Sequence, residues 1–138
     1  MIRLRRAAYD AVFDHALDDA PAEACGLLVG SHGDPSVVRT TRRAANAAGN
    51  PERAYEIAPA DLLAHLEAVD AAGEEVVGFY HSHPRGPPRP SATDRRAAAW
   101  DDRSYLLVAL AEGGHPFVGS WRWRDGPGSF ADEVVRIE

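Results

Sequence analysis

The chain has 138 residues, enough for one domain with a single sizeable core. Its 21 acidic side chains outnumber 15 basic ones, all of them arginine, and the resulting net charge of −6 argues against nucleic acid as a partner. The single cysteine excludes an internal disulfide and favours a reducing compartment. Because no signal-peptide core and no run of about 18 apolar residues is present, we expect a cytoplasmic protein that does not enter a membrane.

The first third of the chain alternates strand and helix patterns. A short strand is followed by an amphipathic helix predicted over residues 6–19, and strands are predicted over 24–29 and 36–43. A Gly-Asp-Pro turn at 33–35 separates these two strands. The apolar face predicted for the helix consists of Ala7, Ala8, Ala11, Val12, His15 and Ala16.

A polar loop over 44–53 and a brief extended piece over 55–57 lead to a second helix, predicted over 59–72. Proline lies in its first turn, and Gly73 follows its end, where a left-handed residue commonly closes a helix. The apolar face predicted for this helix consists of Leu62, Leu63, Leu66 and Val69.

The second half begins with a short apolar run over 75–80, which predicts a buried strand that ends at two histidines. Three prolines make the 85–90 loop stiff, and Ser91 begins a third helix with a Ser-x-x-Asp pattern typical of a capping box. Three further strands, expected to be antiparallel, are predicted over 105–110, 117–124 and 129–137. The whole pattern predicts one α/β domain over residues 1–138.

A candidate metal site lies at the end of the central apolar run. His81 and His83 are two residues apart, so on a strand their side chains point to the same face. Asp94 adds an oxygen donor from beyond the proline-rich loop. Two imidazoles and a carboxylate suit Zn²⁺, and three protein ligands leave a fourth position for water. In the alternative without a metal, Ser91 caps the helix and Asp94 interacts with the helix dipole, although both roles can coexist.

Glu23 and Cys25, which precede the candidate metal site in the chain, are two further residues that could lie close to it. Glu23 lies at the edge of an apolar segment, where burial raises a carboxyl pKa towards values useful to a general base; the alternative is a solvated acid. Cys25 shares its strand face, and we interpret it as a small buried apolar residue rather than a nucleophile. The other histidines have no ligand-like spacing and are interpreted as surface or packing residues: His15, His32, His65 and His115.

Together these motifs resemble the JAMM (MPN) family of zinc metalloproteases. The His-Ser-His-Pro sequence at 81–84, the gap to Ser91, Asp94 and the Glu-x-Cys-Gly-Leu-Leu segment from Glu23 all match its signature. The resemblance implies one zinc per chain held by His81, His83 and Asp94. It also implies that Glu23 activates the attacking water and that Ser91 helps to stabilise the tetrahedral intermediate. The implied fold is cytidine deaminase-like, with a central mixed sheet flanked by helices, but the Pro-Cys-x-x-Cys motif of true deaminases is absent.

The resemblance further implies a substrate with a Gly-Gly tail. The favoured reading is an isopeptidase that removes a ubiquitin-like modifier, with trimming of a cysteine or peptide from a ubiquitin-fold sulfur carrier as the alternative. The arginine-only, acidic composition looks archaeal and favours the first. The loop over 44–55 is the candidate wall of the tail groove, or else a variable surface loop.

Two further classes stay open. A non-catalytic MPN interaction module is disfavoured because every signature residue is in place. A RadC-type protein, a class linked by name to DNA repair, is disfavoured by the segment after Glu23 and by the negative charge. The sequence does not fix the oligomeric state.

Overall fold

The computed structural model describes residues 1–110 and 116–138, and eight strands within these ranges form one mixed sheet. The strands are β1 (Ile2–Leu4), β2 (Cys25–Ser31), β3 (Ser36–Ala44), β4 (Glu75–His83), β5 (Ser104–Ala109), β6 (Phe117–Arg124), β7 (Ser129–Glu133) and β8 (Val135–Ile137). The helices are α1 (Arg6–Asp19), α2 (Pro59–Ala71) and α3 (Ala92–Ala97). The strand order is β7-β6-β5-β4-β2-β3-β1-β8, which confirms the predicted mixed sheet.

The histidine strand β4 lies in the middle of this sheet. It runs antiparallel to β2 on one side and parallel to β5 on the other. Both faces of β4 are covered, since Val77 and Tyr80 pack in the cluster with α1, and Phe79 packs in the cluster with α2. A strand between two covered faces is buried along its length. Accordingly, every residue of β4 from Val77 to His83 is buried.

The two long helices follow the predicted bounds closely, but their buried faces are narrower than predicted. In α1, Ala7 is exposed and Ala11 is half-buried, whereas the other predicted residues are buried: Ala8, Val12, His15 and Ala16. In α2, the prediction for Leu63 is wrong, because its side chain is 57% exposed. Leu63 lies about 100° around the helix from Leu62, whereas Val69 is buried as predicted and His65 is buried beside it. Gly73 has the left-handed φ of +69° expected after the helix end.

The strand predicted over 129–137 is divided into two at Val134, and its halves lie at opposite edges of the sheet. β7 pairs antiparallel with β6, whereas β8 pairs in parallel with β1. The chain thus connects the two edges of the sheet at Val134. Near this connection, the buried side chain of Arg122 in β6 binds Glu133 at 3.2 Å and the carbonyl of Gly33 at 2.8 Å. The predicted antiparallel arrangement is confirmed for β5 with β6 and for β6 with β7, but not for β8. On its other side, β5 pairs in parallel with β4.

The pairing of β4 with β5 depends on a close backbone approach at Gly78. A Cβ atom built on Gly78 would lie 1.8 Å from the carbonyl oxygen of Ser104, its partner in the parallel register.

We predict that Gly78→Ala destabilises the fold by about 1–3 kcal/mol or more, because backbone at the sheet centre has to shift. Thermal unfolding of the metal-free protein measures this effect. Gly126→Ala is the matched control, since a Cβ there has no neighbour within 4 Å. Equal melting temperatures for the two variants would contradict the prediction.

Candidate metal centre

The candidate site forms where the carboxyl end of β4 meets the segment that enters β2. The hydroxyl oxygen of Ser82 accepts a hydrogen bond from the backbone N–H of Ala24 at 2.8 Å, and the N–H of Ser82 donates to the Ala24 carbonyl at 3.0 Å. This pair of bonds holds Glu23 beside the strand that carries His81 and His83. The period-two argument therefore places both imidazoles at one end of a rigid, buried strand.

The three predicted ligands converge on one point. The Oδ2 atom of Asp94 lies 3.1 Å from Nε2 of His81 and 3.0 Å from Nε2 of His83. With Glu23 included, each of the four residues offers one ligand atom, and these atoms lie within 4.8 Å of one another. All four residues are buried. The described residues thus contain a compact group that could hold a metal ion.

Asp94 is aimed at the histidines by the start of α3. Its Oδ2 atom accepts a hydrogen bond from the backbone N–H of Ser91 at 2.8 Å, and its own N–H donates to the Ser91 hydroxyl at 3.0 Å. These reciprocal bonds form a capping box. The helix-cap interpretation and the metal-ligand interpretation of these two residues are therefore compatible, because the same carboxylate oxygen serves both.

The two imidazoles are held in different ways. Nδ1 of His83 donates to the carbonyl of Pro87 at 2.9 Å, so Nε2 is the ring nitrogen that faces the cluster. The stiff proline loop thus fixes this ring. Nδ1 of His81 is buried without a hydrogen-bond partner among the described residues, and its ring instead stacks on Tyr55, with centroids 4.5 Å apart and planes at 23°.

The electrostatics of the cluster suit a divalent cation. Although burial disfavours its charge, hydrogen bonds from His81 and His83 hold the pKa of Asp94 far below its ordinary range. Burial lowers the pKa of His81 and so favours its neutral form. Burial also opposes protonation of His83, but its hydrogen bonds to Asp94 and Pro87 outweigh this and raise its pKa. An ionised carboxylate and a buried neutral imidazole are the forms in which these groups bind metals.

Glu23 differs from the other three residues because it has no fixed partner. Its Oε1 atom is buried and forms no hydrogen bond within the described residues. Burial, with the negative charge of Asp94 adding to it and the charge of His83 opposing it, raises the pKa of Glu23 to about 7. With only 4% of its surface exposed, Glu23 is not the solvated acid of the alternative interpretation.

Sequence analysis missed Asn46, which organises the loop beside the site. Its side-chain N–H₂ group donates to the carbonyls of Glu23 and Ala54, both at 3.0 Å. Its Oδ1 atom accepts from the N–H groups of Ala48 and Glu56, at 3.0 and 3.2 Å. The available signal was a lone amide side chain between two pairs of alanines at 44–48. The segment 55–57, predicted to be extended, belongs to no strand of the sheet.

A cavity of about 450 Å³ opens beside the cluster. Glu23, His83 and Ser91 are among the residues that line it. Asn50, Glu52 and Arg53 line it as well, together with the turn at 84–87. The predicted groove loop thus contributes one wall of a cavity that reaches the candidate site.

The other described histidines and the cysteine take no part in the cluster. Burial raises the pKa of Cys25 to about 12, so it remains a neutral thiol, as an apolar packing residue should. Partners of the described histidines are the Tyr80 hydroxyl for His15, the Asp102 carbonyl for His32 and the Arg42 side chain for His65. His115 lies outside the described residues.

The fold and this cluster define a JAB-type domain with a candidate metal site, and the family match agrees. Residues 5–124 match the Prok-JAB family, described as prokaryotic homologs of the JAB domain. The chain therefore belongs to this family, which confirms the predicted JAMM/MPN membership.

Individual relatives have related activities in their names. A desampylase of Haloferax volcanii is 42% identical over 106 residues, covering 74% of this chain and 76% of that protein. A CysO-cysteine peptidase of Mycobacterium tuberculosis is 32% identical over 134 residues, covering 97% and 89% of the two chains. These relatives confirm the prediction of a JAMM-type hydrolase.

Solved structures confirm the fold. A protein from Desulfitobacterium hafniense superposes with a TM-score of 0.88 at 32% identity, over 100% of this chain and 93% of that one. A JAB1/MPN domain protein from Archaeoglobus fulgidus superposes with a TM-score of 0.63 at 16% identity, over 100% and 97%, and so supports the fold alone. Among the described residues, the helices are too short or too polar to cross a membrane.

Proposed function

We propose that this protein is a zinc-dependent isopeptidase that hydrolyses the bond after the C-terminal Gly-Gly of a ubiquitin-like modifier. The observation that carries the proposal is the convergence of two imidazole nitrogens and one carboxylate oxygen beside a buried, unpaired carboxyl group. The names of the relatives support it, since they describe a desampylase and a CysO-cysteine peptidase. We further propose that residues 1–138 act as a single catalytic domain in the cytoplasm, where the free thiol of Cys25 would stay reduced.

The residues present fit zinc. His81, His83 and Asp94 supply two nitrogens and one oxygen, a set that leaves a coordination position open. The hydrogen bond from His83 to Pro87 presets the tautomer that binding requires, as is usual for metal-binding histidines. When bound, zinc would polarise the scissile carbonyl and make a water molecule more acidic.

Glu23 is the proposed general base. Because its pKa is raised to about 7, its carboxylate can take a proton from the attacking water and, once protonated, can pass that proton to the leaving amine. Its burial and its freedom from other hydrogen bonds keep it available for both transfers.

Ser91 is the proposed stabiliser of the oxyanion. Its hydroxyl oxygen already accepts the Asp94 N–H, so the hydroxyl hydrogen remains available to donate to negative charge that develops in the adjoining cavity. The capping box fixes the position of this hydroxyl before the substrate arrives.

The cavity supports a narrow, extended substrate segment. Its walls at 50–53 and 84–87 flank Glu23 and Ser91, so a tail without side chains can place its last carbonyl between them. Diglycine is the thinnest such tail. The same argument applies to a sulfur-carrier protein whose Gly-Gly is followed by one extra residue. Trimming of that residue is the second candidate function, because the CysO-cysteine peptidase of Mycobacterium tuberculosis is among the relatives.

We predict that the zinc-loaded wild-type protein cleaves a ubiquitin-fold protein joined through Gly-Gly to a lysine side chain faster than the same protein extended by a single cysteine. Mass spectrometry of both products over time measures the two rates. A faster release of cysteine would favour the sulfur-carrier reaction. Absence of turnover with either substrate, with zinc bound, would instead support a non-catalytic interaction module.

We predict one zinc per wild-type chain and loss of stoichiometric zinc in His81→Ala and in His83→Ala, because each variant removes one of three ligands. Elemental analysis of purified protein measures the metal. His32→Ala is the control, since its imidazole binds a backbone carbonyl away from the cluster. We expect the metal-free protein to remain folded, because most of the core lies outside the site. Full zinc retention in both ligand variants would refute the assignment.

We predict that Glu23→Gln retains zinc but lowers single-turnover hydrolysis by about 10²–10⁴-fold, the usual contribution of general acid–base catalysis. This corresponds to roughly 3–6 kcal/mol of barrier. Glutamine keeps the size of the side chain but cannot accept the proton. Glu67→Gln, on the exposed side of α2, is the matched control.

Ser91→Ala, measured on the same substrate, should lose no more than about 3–4 kcal/mol of transition-state stabilisation, the contribution of one oxyanion donor. Hydrolysis by Glu23→Gln at the wild-type rate would place the base elsewhere. Loss of zinc from that variant would make Glu23 a fourth ligand and the site a closed one.

A further inference from the structure

The two imidazoles of the cluster differ in the hydrogen bonding of the ring nitrogen that faces away from the cluster. A histidine that binds a metal usually donates its second ring N–H to a neighbouring acceptor, which fixes the orientation of the ring. His83 does so through Pro87. His81 does not, because its Nδ1 atom is buried without a hydrogen-bond partner among the described residues. Some other contact has to set the plane of the His81 ring.

Tyr55 supplies that contact. Its ring lies flat against the imidazole of His81, with centroids 4.5 Å apart and an angle of 23° between the planes. The χ2 torsion of histidine is broad and roughly two-fold, so packing on the ring face sets the plane of the ring. A large flat neighbour on this face holds the ring in a plane that contains the orientation observed, in which Nε2 lies 3.1 Å from Oδ2 of Asp94.

Tyr55 lies outside the sheet, and its own position depends on Asn46. The Asn46 side chain binds the backbone on both sides of Tyr55, through the carbonyl of Ala54 and the N–H of Glu56. The same side chain binds the carbonyl of Glu23. One amide group therefore connects the residue that stacks on His81 with the backbone of the proposed base.

We propose that Asn46 and Tyr55 are positioning residues, with Tyr55 orienting His81 by stacking and Asn46 holding both Tyr55 and Glu23 in place. This inference rests on the proposed metal site. It assigns to the loop over 46–56 a part in metal affinity and in proton transfer, in addition to its place in the cavity wall.

The test compares Tyr55→Leu with Tyr55→Phe in the full chain. Zinc affinity is measured by competition with a chromophoric chelator, and the visible absorption of the cobalt(II)-loaded protein reports the ligand geometry. We expect Tyr55→Leu to bind zinc about 10-fold more weakly or worse, as for the loss of other groups that orient a ligand, and to show an altered cobalt spectrum. Tyr55→Phe keeps the stacked ring and should retain the wild-type zinc affinity and the wild-type cobalt spectrum.

Tyr9→Leu is the matched control. Tyr9 also stacks on a neighbouring ring, that of Phe13, but it lies in α1 away from the cluster. This variant should leave zinc affinity and the cobalt spectrum unchanged. Thermal unfolding of each metal-free variant separates loss of orientation from loss of the fold.

Asn46→Ala tests the second half of the inference. We expect weaker zinc binding and, at saturating zinc, a lower turnover number with little change in KM, because Glu23 loses a contact that holds its backbone. Wild-type zinc affinity in a folded Tyr55→Leu protein would overturn the orienting role. A wild-type turnover number in folded Asn46→Ala would overturn the link to Glu23. Failure of the wild-type chain to bind zinc would overturn the metal site itself, and this inference with it.

Discussion

The arrangement of the site depends on one carboxylate oxygen. Oδ2 of Asp94 meets the Nε2 atoms of His81 and His83 while it accepts the backbone N–H of Ser91. These contacts form together only when the end of β4, the proline-rich loop and the first turn of α3 are correctly placed relative to one another. The short helix α3 is useful chiefly because its capping box directs this oxygen towards β4. A cap that stabilises a helix end thereby also orients a candidate ligand.

Burying four ionisable groups in one cluster costs a small domain free energy of folding. Hydrogen bonds offset this cost only in part. Oδ2 of Asp94 has three hydrogen-bond partners, but Oε1 of Glu23 and Nδ1 of His81 are buried without partners among the described residues. Unpaired buried polar atoms cost about 1–3 kcal/mol each. Sequences retain such atoms mainly where function requires them. Of the four such atoms among the described residues, two belong to the proposed base and to the imidazole that Tyr55 orients; the other two are Nε2 of His65 and Oγ of Ser104.

Local patterns in the sequence were enough to predict the central part of this arrangement. The alternation of side chains along a strand predicted that His81 and His83 share a face, and the Ser-x-x-Asp pattern predicted the cap. The antiparallel order of β5, β6 and β7 was predicted, but the parallel pairing of β5 with β4 and the division of the last strand at Val134 were not. The hydrophobic period of a strand does not encode which strand is its partner. The role of Asn46 could not be predicted from local sequence either, because it depends on the carbonyl of Glu23, 23 residues earlier in the chain.

The central claim is that three side chains hold one zinc ion and leave a position open for chemistry. Anomalous diffraction from crystals of the zinc-loaded protein, collected on both sides of the zinc edge, tests it most directly. The account predicts one peak at about 2.0–2.2 Å from Nε2 of His81, Nε2 of His83 and a carboxylate oxygen of Asp94, with Glu23 not coordinated. A peak elsewhere, or one that includes Glu23 in a closed four-residue shell, would contradict it.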